Sequence, residues 1–209
     1  MRIPRTPALT AALVSLFATA TTPALAADYS DPTWPCIQRK VERLSVGLMW
    51  PAPLEEVDLA PETGRAVEEL AETLALRRVD LESARAAVEE FAEAQGRDMA
   101  LMGAVFKRVF DTLSTRRRRI IDGIEEFSLS QIALSDRIDA ARSEMTAEMD
   151  KSEPDFDRVD TLEEQVDWDQ RIYSDRQQNI TYLCETPVLL DKRLYALAQM
   201  LQEAARSEG

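Results

Sequence analysis

From Leu113 onward the apolar positions step by three and four: Leu113, Ile120, Ile124, Phe127, Leu134, Ile138, Ala141 and Met145. Only Arg117 and Gln131 interrupt the stripe. A 3.5-residue spacing held for about five heptads is a coiled-coil seam. It predicts one helix from about Met99 to Asp150, capped near Asp98 and roughly 75 Å long at ~1.5 Å per residue. The polar stretch from Asp150 to Asp155, which contains Pro154, ends it. A second stripe then begins at Phe156 and runs through Val159, Leu162, Val166, Tyr173, Ile180 and Leu183, with Asp169 and Arg176 as its polar members. Thr186-Pro187 predicts a break near 186–187, either a kink or a fresh start, because proline is tolerated at the first position of a fresh helix behind a Thr cap. Leu190, Leu194, Leu197 and Leu201 carry the stripe to the C-terminus.

Two such stripes predict an antiparallel hairpin. Pairing Met145 with Leu162, Ala141 with Val166, Leu134 with Tyr173, Phe127 with Ile180 and Ile124 with Leu183 sets every pair equidistant from a point between Glu153 and Pro154. Registers one heptad away fit the pattern equally well but move the fold-back off the polar stretch. In the chosen register Gln131 faces Arg176, and a shared polar layer would select the right pairing over slipped ones. Ile138 facing Asp169 is a mismatch.

Ahead of the hairpin the periods are shorter. Ile37, Val41, Leu44 and Leu48 share one face of a predicted helix from Cys36 to about Met49, ended by Trp50-Pro51-Ala52-Pro53. Pro61 opens a second, running to Leu76 or Arg78, with Val67, Leu70 and Leu74 apolar. Asp80 caps a third that aligns Leu81, Val88 and Phe91 and stops at Gly96. The expectation is an all-α fold: a long antiparallel coiled-coil helical hairpin over 97–209, a short helical pair over 54–96, and a segment over 27–53 docked by a disulfide.

Composition adds an address and a charge. Arg2 and Arg5, an apolar or small stretch from Ala8 to Ala20, and Ala24-Leu25-Ala26 make residues 1–26 a secretory signal peptide, with Ala27-Asp28 as the mature start. Export to the periplasm or beyond follows. No later stretch reaches the ~18 apolar residues of a membrane span. The chain has 38 Asp+Glu against 25 Lys+Arg, a net charge of −13 that becomes −15 once Arg2 and Arg5 leave. Such a surface disfavours nucleic acid and anionic lipid as partners.

Histidine is absent, which removes the commonest general base and metal ligand. No phosphate loop or nucleophile elbow appears. No catalytic set, cofactor or metal site is therefore expected. The acid pairs Glu68-Glu69, Glu89-Glu90 and Glu163-Glu164 read as solvated helix faces.

Cys36 and Cys184 are the two cysteines of an exported chain and are expected to pair. Cys184 would face Gly123, and Gly within a helix costs about 1 kcal/mol against Ala, so Gly123 is read as a point of close approach for the Cys36 segment. Arg116-Arg117-Arg118-Arg119 is the one dense basic run. Four consecutive residues cover every face of a helix, so Arg117 enters the seam opposite Leu190. The run is either a partner of Glu185, Asp191 and neighbouring acids or a collar for docking an anion or a partner. Trp34 and Trp50 bracket the first short helix, either stapling its ends or forming an aromatic surface.

The leading functional expectation is a non-catalytic periplasmic interaction or scaffold protein of the cell envelope. Its partners would be envelope proteins, and homo-oligomers are compatible with it. A chaperone holding apolar clients between helical arms is the alternative, with Met99, Met102, Met145, Met149 and Met200 as flexible contacts. A carboxylate-based envelope enzyme is a third.

Overall fold

A computed structural model describes residues 31–54 and 57–206. The expected signal peptide and mature start lie outside these residues. The elements are α1 (Val46–Met49), α2 (Pro61–Ala75), α3 (Leu81–Gln95), α4 (Met99–Met149) and α5 (Phe156–Arg206), with no strand among the described residues.

Local chemistry sets most of the boundaries. Pro61 opens α2 at its first turn. Asp80 caps α3 by accepting a hydrogen bond from the Ser83 amide at 2.8 Å, and Gly96 closes it at φ 102°, a backbone conformation that favours glycine. Asp98 starts α4 by accepting from the amides of Ala100 and Leu101. At the far end, Glu148 ties the turn together. It accepts from Lys151 Nζ at 2.6 Å and from the Asp155 amide at 3.2 Å. Asp155 in turn accepts from the Arg158 amide in the first turn of α5.

α4 and α5 pack along their lengths as an antiparallel hairpin, and the lower third of that hairpin is enclosed. α2 packs on α4, α3 on α5, and α2 on α3, so four helical segments close a square. Inside it Val67, Leu74, Val88, Met102, Phe106, Val109, Leu194, Leu197 and Leu201 form the main core. Above this base α4 and α5 continue as a two-helix arm. Its own core is the seam Leu134, Ile138, Ala141, Leu162 and Val166.

Three features differ from the sequence pattern. Cys36 to Ser45 is not helical, and only Val46–Met49 forms a short helix. Ile37 and Leu48, which were to anchor that helix, are 79% and 84% exposed. The bridge at Cys36 and the contacts described below hold this stretch as an irregular strap, so tertiary ties override its local period.

Second, there is no break near 186–187, because α5 runs through Pro187 as one helix. Proline removes one N–H. The helix is fastened on either side of that gap, by the bridged and buried Cys184 and by the buried Leu190 and Leu194 in the base.

Third, the seam drifts. Ile121 and Ser128 are buried, whereas Ile120 and Phe127 are only partly so. Ser128 faces inward because its hydroxyl binds the Pro32 carbonyl of the strap.

The polar layers also rearrange. Gln131 and Arg176 do not meet: Gln131 Nε2 donates to the Tyr173 carbonyl, and Arg176 donates to Ser130 Oγ. The mismatch at Ile138 is resolved from the side. Asp169, 4% exposed, accepts from Arg137 Nε at 2.7 Å and Nη2 at 2.5 Å. The bidentate fork reaches in from solvent over Ile138 and neutralises the buried carboxylate.

Candidate functional site

The strap and the arm together make the most chemically specific region. Cys36 and Cys184 are joined by a disulfide that closes a separation of 148 residues. Both sulfurs sit with Ile124 in a small buried cluster that Trp34, Ile120, Ile180 and Leu183 flank. On either side of the bridge, α4 grips the strap through its backbone. Ser128 Oγ donates to the Pro32 carbonyl at 2.6 Å, and Arg117 Nη1 donates to the Val41 carbonyl at 2.5 Å. Lys40 Nζ adds an ion pair with Glu125 at 2.7 Å. Glu125 is the main reason the Lys40 ammonium titrates above its usual value.

The close approach expected at Gly123 is not there. A methyl group built on Gly123 would meet nothing within 4 Å, and the residue is exposed. The strap crosses beside Ile124 instead. The close approach is at Gly103, where an added methyl would lie 3.1 Å from Leu54 Cδ2 and 3.6 Å from Trp50 Cζ2.

The arginine run divides into two kinds. Arg116 Nη1 donates to the Ala75 carbonyl, and Arg193 of α5 donates twice to the Leu74 carbonyl. Two guanidinium groups thus satisfy the unpaired carbonyls at the C-terminus of α2, where positive charge also suits the helix dipole. Arg117 is 5% exposed, and its Nε donates to Asp191 Oδ1 at 2.6 Å. Burial pushes the Asp191 carboxyl above its usual range, and the Arg117 charge works against that shift. Arg116 and Arg117 are therefore committed within the fold. Only Arg118 and Arg119 remain exposed, without a hydrogen bond or ion pair among the described residues.

A collar of four arginines is thus reduced to two. Arg118 borders a cavity of about 500 Å³ at the foot of the arm, which Arg43, Leu44, Phe110 and Ser114 also line. Ser114 Oγ is buried there without a partner.

The tryptophan pair does not form an aromatic surface. Trp50 is 2% exposed and stacks on Phe106 with ring centroids 5.1 Å apart, so it belongs to the base core. Trp34 is half-buried, and its Nε1 donates to the Gln38 carbonyl at 2.6 Å, which shapes the strap.

Exposed aromatic and aliphatic groups occur elsewhere. Met149 and Phe156 flank the turn, and Trp168, Tyr182 and Leu189 lie along the outside of α5 at heptad multiples. Their spacing off the seam was readable in the sequence, but a search for the seam passes over them. Halfway along the arm Phe127, Ile132, Tyr173 and Ile180 wall a groove of about 370 Å³, with Gln131 at its floor and Asp136 on its rim.

Glu68, Glu69, Glu163 and Glu164 are exposed. Among the described residues the buried acids are Glu148 and Asp169, and each is bound to a cation. Comparison with known proteins brings no match: no family model, no curated protein and no solved structure matches this chain.

Proposed function

We propose that the chain is an exported, non-catalytic interaction protein of the cell envelope, whose helical arm presents partner-binding surfaces from a rigid four-helix base. The observation that carries this reading is the placement of exposed apolar side chains on the arm. Met149 is 49% exposed, Phe156 62%, Trp168 63% and Tyr182 71%. They stand at the tip and along one helix, and Phe156, Trp168 and Tyr182 are more exposed than Tyr195 of the base. Aromatic and methionine side chains are the types enriched where proteins bind one another. A two-helix arm also has flanks and a tip for contact and little enclosed volume for chemistry. The disulfide supports export, because such bonds form and persist chiefly in oxidising compartments. Arg118 and Arg119 remain as a reduced docking collar at the foot of the arm.

The test is photo-crosslinking in intact cells of the source organism. A photoreactive residue is placed at Phe156, Trp168 or Tyr182, with Glu82 on the base as the control. Discrete adducts with another envelope protein at the arm positions, absent at Glu82, are expected. Adducts at none of the arm positions would overturn the reading. Terminal sequencing of the same purified protein should begin at Ala27, and an intact residue 1 would overturn export.

A further inference from the structure

The strap shows what kind of chain this arm accepts. It is irregular, lies lengthwise on α4, and is held by the bridge at Cys36 and, on either side of it, by two backbone carbonyls and one lysine. The face of α4 that holds it continues past the described part of the strap. Ser128, which holds Pro32, and Pro35 of the strap both line the mid-arm groove as well. We propose that this groove is the docking site for an extended segment of a partner protein carrying a basic residue beside an aromatic or branched apolar one. The inference rests on the interaction reading above and specifies the partner's chemistry.

Three observations carry it. The first is an unfilled seam. From Gln170 to Leu183 α5 contributes no buried residue, although α4 opposite buries Ile124, Ser128 and Gln131. The helices are open on the strap side, and the gap has apolar walls wide enough for one large side chain.

The second is an unsatisfied acceptor. Gln131 Nε2 is committed to the Tyr173 carbonyl, which fixes the amide's orientation, and Gln131 Oε1 is buried with no partner. A buried carbonyl without a donor is costly. A backbone N–H of an extended chain reaching the groove floor supplies one.

The third is a repeated acid. Glu125 binds Lys40 of the strap. Asp136 is eleven residues further along α4, three turns of the same helix face. It is exposed on the groove rim and has no ion pair among the described residues. The acid that holds a basic residue of the strap thus recurs beside the part of the groove that no described residue fills. A second copy of this chain, with its net charge of −13, would bring further carboxylates to Asp136.

Two labelled peptides test the proposal on the full secreted chain by fluorescence anisotropy: Ser-Lys-Ser-Phe-Ser-Lys-Ser and the same peptide with Glu for Lys. The lysine peptide is expected to bind at least tenfold more tightly. Asp136→Lys should abolish that preference. Ile132→Asp, at a wall residue 38% exposed, should weaken the lysine peptide at least tenfold with the helical circular dichroism unchanged.

Equal binding of the two peptides, or a preference that survives Asp136→Lys, overturns the proposal. Binding that appears only after residues 27–30 are also removed makes the chain's own N-terminus the occupant and overturns it too. A mass in light scattering that halves on Ile132→Asp makes the occupant a second copy, with the same consequence. The crosslinks at Phe156 and Trp168 are a separate readout. If they persist while the peptides fail, the groove assignment falls and the interaction reading stands.

Discussion

Arg117 Nε donates to Asp191 Oδ1 at 2.6 Å across the foot of the hairpin, and Nη1 of the same guanidinium donates to the Val41 carbonyl at 2.5 Å. One buried side chain therefore joins α4, α5 and the strap. Removing it strands a partly buried carboxylate and a backbone carbonyl together. Arg117→Leu should destabilise the protein by about 1–3 kcal/mol, less than a fully buried pair because Asp191 remains a third exposed. The double variant Arg117→Leu with Asp191→Leu should recover part of that loss. A urea-unfolding cycle of the four proteins gives the coupling, and strictly additive effects would refute it.

The bridge between Cys36 and Cys184 should appear as one cross-linked peptide pair within a single chain in non-reducing mass spectrometry. In the chain-entropy treatment a loop of 148 residues is worth on the order of 5 kcal/mol. Cys36→Ser with Cys184→Ser should lower stability by about 2–5 kcal/mol. Limited proteolysis should then cut first between residues 31 and 45, because two hydrogen bonds and one ion pair are left to hold the strap. Unchanged cleavage there would mean that the bridge does not hold the strap in place.

Two glycines of α4 should respond oppositely to substitution. Gly123 has open space around it, so Gly123→Ala should stabilise the helix by up to about 1 kcal/mol. Gly103 lies under Leu54 and Trp50, so Gly103→Leu should displace the indole from Phe106 and cost about 1–3 kcal/mol. Thermal melts of both variants, with tryptophan fluorescence for the second, check the pair.

Glu148 makes the turn sensitive to acid. The Lys151 ammonium and then the Asp155 amide hold its carboxyl below the usual value of 4.5, against the opposing effect of burial. A carboxyl lowered by folding stabilises the folded state fully above its unfolded value, and that contribution is lost as pH falls through the lowered one. Stability measured from pH 6 down to pH 3 should therefore fall more steeply below 4.5 in the wild type than in Glu148→Gln. Parallel curves would remove Glu148 from the acid response.

The hairpin, its turn and the caps at Asp80, Gly96 and Asp98 were legible in the residues alone, because each depends on neighbours within a turn or on a repeat of seven. The antiparallel pairing followed from the same repeat, since only one register centres the fold-back on the polar stretch at 150–155. The cysteine pair was legible as a pair because two cysteines in a chain expected to be exported leave few choices.

Tertiary structure alone decided what lies against the outside of that seam. The period of Ile37, Val41, Leu44 and Leu48 spells a helix, yet the bridge and the grips at Ser128 and Arg117 stretch the segment along α4 instead. Pro187 spells a break, yet packing on both sides carries α5 through it. Gly123 spells a close approach that Gly103 makes, because the side chain covering a glycine can come from anywhere in the chain. Local and periodic signals act over a few residues and are written in order along the sequence. The strap, the four-helix base and the groove arise from contacts between segments tens of residues apart, and no short-range pattern records which of them meet.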